Sequence, residues 1–177
     1  GAWRPSRKVT YPEFAPVRTL TAPTDTTVVG KEAEQVMLGW KMDGAASLQN
    51  DTLNVITYML NNGTAGLLDL DVNQPMLCLG AGAGCIDMRD YSQFVMVGQP
   101  NEGQTLEAVK DILLAEINKL KRGDFSEKLL SSVKNNLKLN FLRSLDSNSS
   151  RANAFVQTFV NGRPWQTEVE KFDRINA

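Results

Sequence analysis

The residues of this chain that could carry out chemistry are its cysteines, lysines and carboxylates, because the sequence contains no histidine. The absence of histidine excludes a histidine-dependent triad, a His-x-x-Glu-His zinc site and any histidine proton shuttle within the chain. Catalysis by carboxylates or by a lysine stays formally open, but no Asp or Glu pair has a spacing that demands it. We therefore expect no catalytic residue, no metal site and no activity from this chain alone.

The two cysteines, Cys78 and Cys85, have a spacing that fits no zinc motif. On a single strand, two positions separated in this way point to opposite faces, which disfavours a local disulfide. We expect two small, buried apolar side chains instead.

A glycine-rich segment at 76–87 has the most unusual texture in the chain, with Gly80, Gly82 and Gly84 alternating with small residues. It is not a dinucleotide fingerprint, because Cys85 replaces the third glycine and no helix follows, and a P-loop lysine is also absent. We interpret the segment as a strand with one face bare of side chains. Two explanations are equally open: tight packing against a helix, or close approach of an extended peptide to an edge strand.

Two further patterns allow binding hypotheses. Asp69, Asp71 and Asn73 alternate like half of a calcium loop, but the glycine and the final glutamate of that motif are missing. Between Lys119 and Arg151 there are eight basic and three acidic residues. That segment could bind an acidic partner, although a solvated helix face is the stronger interpretation, and no interleaved aromatic residues support nucleic-acid binding.

The composition is that of an ordinary globular domain. The chain has 177 residues, 42% hydrophobic and 22% charged residues and a net charge of −1. This charge does not recruit nucleic acid or an anionic membrane, and no apolar run approaches the roughly 20 residues that cross a bilayer. The chain begins Gly-Ala-Trp without a signal peptide, so we expect a piece of a longer protein.

Hydrophobic periodicity predicts the order of the elements. Residues 1–33 contain four prolines and are expected to form an extended lead-in, and 34–177 form the domain. Strands are expected at 34–42, 76–87 and 92–99, and a helix at 47–62 with Leu48 on its apolar side. Two long helices follow, the first capped by Thr105 and ending at Gly123, the second capped by Asp124. A further helix has its apolar stripe from Ala152 to Val160, and Pro164 opens a last helix. This order predicts an α+β fold in which helices cover one face of an antiparallel sheet.

Several segments, taken in order and spacing, carry a family resemblance. They are Gly-Trp at 39–40, Tyr-Met-Leu-Asn-Asn-Gly-Thr-Ala-Gly-Leu-Leu at 58–68, Tyr-Ser-Gln-Phe at 91–94, Gly-Gln-Thr-Leu-Glu-Ala-Val at 103–109, Leu-Lys-Arg-Gly-Asp-Phe at 120–125, Leu-Leu at 129–130, Asn-Asn-Leu at 135–137 and Gly-Arg-Pro-Trp at 162–165. Over residues 36–175 the chain resembles the insulinase/pitrilysin/mitochondrial-processing-peptidase family of zinc peptidases. It looks most like a non-catalytic domain of a large bacterial member.

The resemblance implies a domain of a chamber that encloses peptides, with zinc bound in the catalytic domain of the parent and none here. The family's inverted His-x-x-Glu-His motif is absent, and so are its later Arg and Tyr, since 68–75 reads Leu-Asp-Leu-Asp-Val-Asn-Gln-Pro. The family's peptide-contacting strand matches Leu79, Gly80, Ala81 and Gly82. The family domain also ends in one more helix and strand, which are missing after Ala177.

The expected function is therefore peptide binding in the chamber of a zinc peptidase, with other domains of the same polypeptide and the peptide substrate as partners. Two alternatives remain: a purely structural repeat without peptide contact, and an interaction module that binds an acidic partner through 119–151. Neither nucleic-acid binding nor membrane insertion is expected. By analogy with large bacterial members, a periplasmic or envelope location of the parent is plausible.

Overall fold

The structure is a computed structural model, and it describes residues 10, 12–13, 15–16 and 18–176. The described residues before Val36 form neither helix nor strand, as the prolines of the predicted lead-in suggest. The other residues of that segment, and Ala177, lie outside the described part. The domain boundary at residue 34 stays a prediction.

Three strands form one antiparallel sheet, which confirms the predicted sheet. Strand β1 is Val36–Asp43, β2 is Gly80–Ile86 and β3 is Tyr91–Gln99. Their order is β1-β3-β2, so within the described residues β3 is central and both of its neighbours are edges. The register pairs Trp40 with Phe94 and Ala83 with Met96.

Strand β2 begins later than the sequence predicted. The chain turns at Met76, which has a φ of 57°, and the first contact with the sheet is from Leu79 N to Gln99 O at 2.9 Å. Cys78 consequently lies before the strand, where its side chain is buried. The prediction that both cysteines share one strand is wrong, although both thiols are free as expected.

Side chains alternate across the sheet as period-two patterns require. On the covered face, the Trp40 and Phe94 rings lie 5.6 Å apart between centroids, and Met96 is fully buried. On the other face, the Met37 side chain is 61% exposed. The covered face of β1 carries Val36, Leu38, Trp40 and Met42, which pack against the core.

Helix α1, Gln49–Leu60, departs from its predicted apolar side. Leu48 precedes the helix and is 52% exposed, while two polar residues of the first turn are buried. Asn50 donates from Nδ2 to Gly44 O and to Ser92 Oγ, at 3.1 and 3.2 Å. These tertiary partners compensate the burial of polar groups, which hydrophobic periodicity alone cannot reveal.

The second buried polar residue of α1, Asp51, joins this helix to the end of the chain. Its carboxylate lies 2.7 Å from Arg174, 3.3 Å from Arg163 and 3.7 Å from Lys171. The predicted last helix is instead two short helices, α5 (Trp165–Val169) and α6 (Lys171–Asn176). The cations of this segment therefore converge on one carboxylate and attach it to α1.

The long helices follow the sequence closely. They are α2 (Leu106–Arg122), α3 (Glu127–Ser144) and α4 (Asn148–Val160). Thr105 Oγ1 accepts from Ala108 N, and Gly123 ends α2 with a φ of 70°, as expected. The predicted cap of α3 is wrong, because Ser126 and not Asp124 accepts the hydrogen bond, from Leu129 N. Helix α4 begins four residues before its predicted apolar stripe, after the cap Ser147.

The core lies between the sheet and α2. Its fully buried members include Met96 of β3 and Val109 and Leu113 of α2. A Cβ atom on Gly98 of β3 would lie 2.5 Å from Val109 Cγ1 and 3.3 Å from Leu113 Cδ1. Helix α2 can approach the sheet this closely only because Gly98 has no side chain.

We expect Gly98→Ala to lower the free energy of unfolding by about 1–3 kcal/mol, because the methyl group overpacks against two buried side chains. Urea unfolding followed by circular dichroism measures this. Gly39→Ala on β1 is the matched control, since its Cβ meets no atom within 4 Å. Equal stability of the two variants would contradict the proposed fit of α2 over Gly98.

Candidate functional site at the edge of strand β2

Strand β2 has one paired side and one open side. Among the described residues it pairs only with β3. In an antiparallel ladder, successive residues direct their backbone N–H and C=O groups alternately toward one side and the other. An extended peptide could pair with the groups on the open side, which is the property that the predicted site requires.

Asn73 occupies part of this open edge. Its Nδ2 donates to Ala81 O at 2.9 Å, and its Oδ1 accepts from Ala81 N at 2.8 Å. A side-chain amide thus makes the two hydrogen bonds that a neighbouring strand would make. These bonds show that the backbone groups of Ala81 face the open side.

The predicted site residues lie at the start of this edge. Leu79 precedes β2 and its side chain is 67% exposed, while its own N–H bonds to Gln99 O. Gly80 and Gly82 flank Ala81 within the strand. The structure therefore brings these residues together along one edge, with Asn73 beside them.

The alternating glycines are not explained by tight helix packing. A Cβ atom would meet nothing within 4 Å at Gly80 and only Val95 Cγ2, at 3.9 Å, at Gly84. At Gly82 the nearest atom is Asn61 Oδ1 at 3.6 Å, an ordinary contact. Of the two explanations for the bare face, helix packing is thus wrong.

A buried carboxylate positions the segment that carries Asn73. Asn73 ends a π-helix, Asp69–Asn73, which begins with the largely buried Asp69. Asp69 Oδ2 accepts from the backbone N–H groups of Asn62, Thr64 and Gly66, at 2.9, 3.1 and 3.0 Å. Its Oδ1 accepts from Asn61 Nδ2 at 2.6 Å. The carboxylate thereby joins the loop after α1 to the π-helix.

Asp69, Asp71 and Asn73, which alternate like half of a calcium loop in the sequence, bind groups of the protein itself in the structure. Asp69 binds the preceding loop and Asn73 binds β2. Asp71 Oδ2 accepts from Lys119 Nζ at 2.9 Å. The three side chains therefore have three separate sets of partners, and the described residues contain no cluster of three or more His, Cys, Asp or Glu side chains that could hold a metal ion.

Lys119 links the π-helix to α2. Its ammonium group lies 2.9 Å from Asp71 and 2.8 Å from Glu116. The hydrogen bond with Glu116, supported by that with Asp71, raises the pKa of Lys119. This lysine belongs to the basic segment 119–151, so one positive charge of that segment is already paired within the domain.

The thiol on β2 is not an activated nucleophile. Cys85 Sγ donates to Asp87 Oδ1 at 3.2 Å. Burial, followed by the hydrogen bond and the negative charge of Asp87, raises the pKa of Cys85 to about 12. The protonated thiol therefore predominates at neutral pH.

A shallow depression adjoins the exposed end of the site. It has a volume of about 500 Å³ and lies between Leu79, Glu34 and the loop from Gln99 to Thr105. Asn101 and Gln104 of this loop donate to the carbonyl oxygens of Met76 and Leu77. The depression is open and could accept a side chain next to the β2 edge.

Sequence reasoning missed Asn73 and Asp69 as parts of the site. The alternating Asp and Asn residues just before the glycine-rich strand were the available signal, and they suggested a cation instead. A side chain that binds backbone groups eight residues further along, as Asn73 does with Ala81, leaves no periodic trace.

Comparisons with known proteins agree with this architecture. Residues 2–137 match the family described as the Peptidase M16 inactive domain. The chain belongs to this family, which confirms the predicted kinship with zinc peptidases. No helix in the described part of the chain has the length and apolar character to span a membrane.

Individual relatives extend the comparison. The zinc protease PqqE of Helicobacter pylori is 27% identical over 139 residues, which are 76% of this chain and 31% of that protein. The crystal structure of a protease from Helicobacter pylori has a TM-score of 0.73 at 24% identity and covers 80% of this chain and 34% of its own. The inactive peptidase domain of a candidate zinc protease from Bordetella parapertussis has a TM-score of 0.68 at 15% identity, covering 85% and 82%. This chain thus spans about a third of each Helicobacter protein, and the structural likenesses show the fold.

We expect Asp69→Asn to lower the free energy of unfolding by about 3 kcal/mol, because an amide cannot accept from all the donors around the carboxylate. Asp71→Asn is the matched control on the same π-helix, and its partly exposed ion pair with Lys119 should contribute no more than about 1 kcal/mol. Chemical denaturation measures both. A loss at Asp69 no larger than that at Asp71 would show that the loop does not depend on this carboxylate.

We expect iodoacetamide to label Cys85 slowly below pH 10, because the reactive thiolate is scarce when the pKa is near 12. Asp87→Asn removes a negative charge and lowers this pKa, so labelling at pH 9 should become about tenfold faster for each unit of decrease. Site-resolved mass spectrometry measures the rates. Asp90→Asn in the adjacent turn is the control, and an equal acceleration in both variants would contradict the specific role of Asp87.

Proposed function

We propose that this chain is a non-catalytic domain of a zinc peptidase, which helps to enclose the peptide substrate and holds an extended peptide along the open edge of β2. The edge includes Leu79, Gly80, Ala81 and Gly82. The observation that carries the proposal is the unpaired side of β2, which among the described residues pairs only with β3. Membership in an inactive peptidase domain family supports a role in binding over one in catalysis.

Zinc and the catalytic groups would come from another part of the parent protein. The residues of this chain do not fit a zinc site, since the sequence has no histidine and the described residues contain no cluster of metal ligands. The name of the Helicobacter relative, zinc protease, supports zinc in a parent protein. Other domains of the same polypeptide would then be the main partners of this one.

The contribution of β2 to binding follows from backbone chemistry. Open N–H groups donate to, and open C=O groups accept from, the backbone of an extended peptide, which gives affinity with little sequence preference. Each such hydrogen bond contributes about 1 kcal/mol net, so a few of them support only weak binding by the isolated domain.

A second candidate function is purely structural, with the domain closing the chamber and making no peptide contact. The occupation of Ala81 by Asn73 favours this alternative, because it removes one pair of groups from the edge. Peptide titration distinguishes the two functions, since a structural domain would show no response on β2. Binding of an acidic partner through 119–151 is less favoured, because Lys119 is already paired with Asp71 and Glu116.

We expect Gly82→Val to weaken peptide binding roughly tenfold, because a branched side chain between Ala81 and Ala83 would crowd the side chains of a peptide paired along this edge. The probe is a capped octapeptide of six alternating threonine and valine residues followed by two lysines. Titration monitored by ¹H–¹⁵N NMR measures the affinity and locates the shifted amides.

The matched control is Gly39→Val, which adds the same side chain to the opposite edge strand, where nothing lies within 4 Å of the new Cβ. It should bind the octapeptide like the unaltered chain. Equal affinities for both variants, or amide shifts confined to regions outside β2, would refute binding at this edge.

A further inference from the structure

We propose that Asn73 is an end stop for the bound peptide, whose strand pairs with the backbone of Ala83 and Cys85 and finishes beside Asn73. The inference rests on the proposed function, since it assumes that a peptide binds along β2. It adds the register of that peptide and the residue that ends its pairing.

The outward backbone groups of β2 are of two kinds. Those of Ala81 are both bonded to Asn73, at 2.8 and 2.9 Å. The register with β3 is continuous from Gly80 to Ile86, so Ala83 and Cys85 direct their groups to the same side as Ala81. Apart from the ladder with β3, no described residue hydrogen-bonds to the backbone of Ala83 or Cys85. The two N–H and two C=O groups of these residues therefore have no hydrogen-bond partner among the described residues, and a neighbouring strand could pair with them.

Asn73 reproduces the chemistry of a neighbouring strand at one position only. A primary amide offers one acceptor and a donor in the same plane, as a backbone peptide group does. A peptide extending from Cys85 past Ala83 would meet this amide at Ala81 and could continue only by displacing it. Leu79 and Gly80 then lie beyond the stop, while Gly82 borders it.

The π-helix holds the Asn73 backbone in place. Val72, the preceding residue, is fully buried in the core, and so is Leu68. Asp69 binds three backbone amides of the loop after α1, and Asp71 binds Lys119. Because both sides of the segment are attached, we infer that Asn73 remains at Ala81 when a peptide binds.

The pattern of open groups identifies the occupant as an extended peptide. Open donors and acceptors recur at every second residue of a strand, which matches the repeat of another strand. A helix has no such row of free groups, since its backbone groups bond within the helix. The edge carries no ion pair or metal-ligand cluster in the described structure, so backbone pairing is the interaction it offers.

The test is ¹H–¹⁵N NMR with hydrogen exchange on the 177-residue chain, with and without the capped threonine–valine octapeptide. In the free chain, the Ala81 amide should exchange slowly and the amides of Ala83 and Cys85 rapidly. The peptide should protect Ala83 and Cys85 at least tenfold and leave the exchange rate of the Asn73 side-chain amide, which donates to Ala81 O, unchanged.

Asn73→Ala should free Ala81 and lengthen the binding edge. Its Ala81 amide should exchange rapidly in the free chain and become protected by the peptide. Affinity should rise about fivefold for each hydrogen bond gained. Asn148→Ala in α4 is the matched control, because it removes a side-chain hydrogen bond with Arg151 without opening β2. It should bind the peptide with unchanged affinity.

Each other outcome overturns a defined part of the proposal. Peptide binding that makes the Asn73 side-chain amide exchange faster would show that Asn73 is displaced from Ala81, which refutes the stop and leaves peptide binding at β2 intact. No protection of Ala83 and Cys85 in the unaltered chain would refute the proposed function together with the stop. The unaltered chain is sufficient for these two outcomes if Asn73→Ala does not fold.

Discussion

The Asp69 carboxylate is the interaction on which the organisation of this domain depends most. It accepts from three backbone N–H groups of the loop after α1 and from the Asn61 side chain. A buried carboxylate with several donors is strongly held, because its charge would otherwise be costly in the interior. Because these hydrogen bonds attach the loop to Asp69, they fix the position at which the π-helix starts. The π-helix in turn places Val72 in the core and Asn73 beside β2. One side chain thus connects the helix layer with the edge of the sheet.

The sheet is covered on one face, and each face serves a different purpose. On the covered face, α2 approaches closely because Gly98 has no side chain, and this contact buries Val109 and Leu113. On the open face, Gly39 and Gly80 have free space where a side chain would be. Glycine therefore has two structural roles in one sheet. On β3 it allows a helix to pack closely, and on the edge strands it leaves an exposed surface without side chains. Of these glycines only Gly98 is required by packing, since a Cβ atom at Gly39 or Gly80 would meet nothing within 4 Å.

The groups that could perform chemistry are used for structure. Cys85 remains a thiol because burial and Asp87 raise its pKa to about 12. Asp51, Asp69 and Asp71 each hold cations or backbone amides within the domain. This use of carboxylates agrees with an inactive member of a peptidase family, whose remaining interaction chemistry is the backbone of an edge strand. The proposed peptide site is accordingly a row of backbone hydrogen-bonding groups and not a cluster of reactive side chains.

The sequence by itself determined the α+β order, the antiparallel strands, the limits of α2 and the family, because these depend on local periodicity, caps and combined motif spacing. Sequence reasoning failed at Leu48, at the cap of α3 and at the start of β2, where tertiary partners or competing caps decide. Only the tertiary structure showed that β2 is an edge, that its glycines are not packed under a helix, and that Asn73 covers Ala81. The physical reason is that edges and side-chain-to-backbone hydrogen bonds depend on which distant segments become neighbours, and residue spacing along the chain does not encode that.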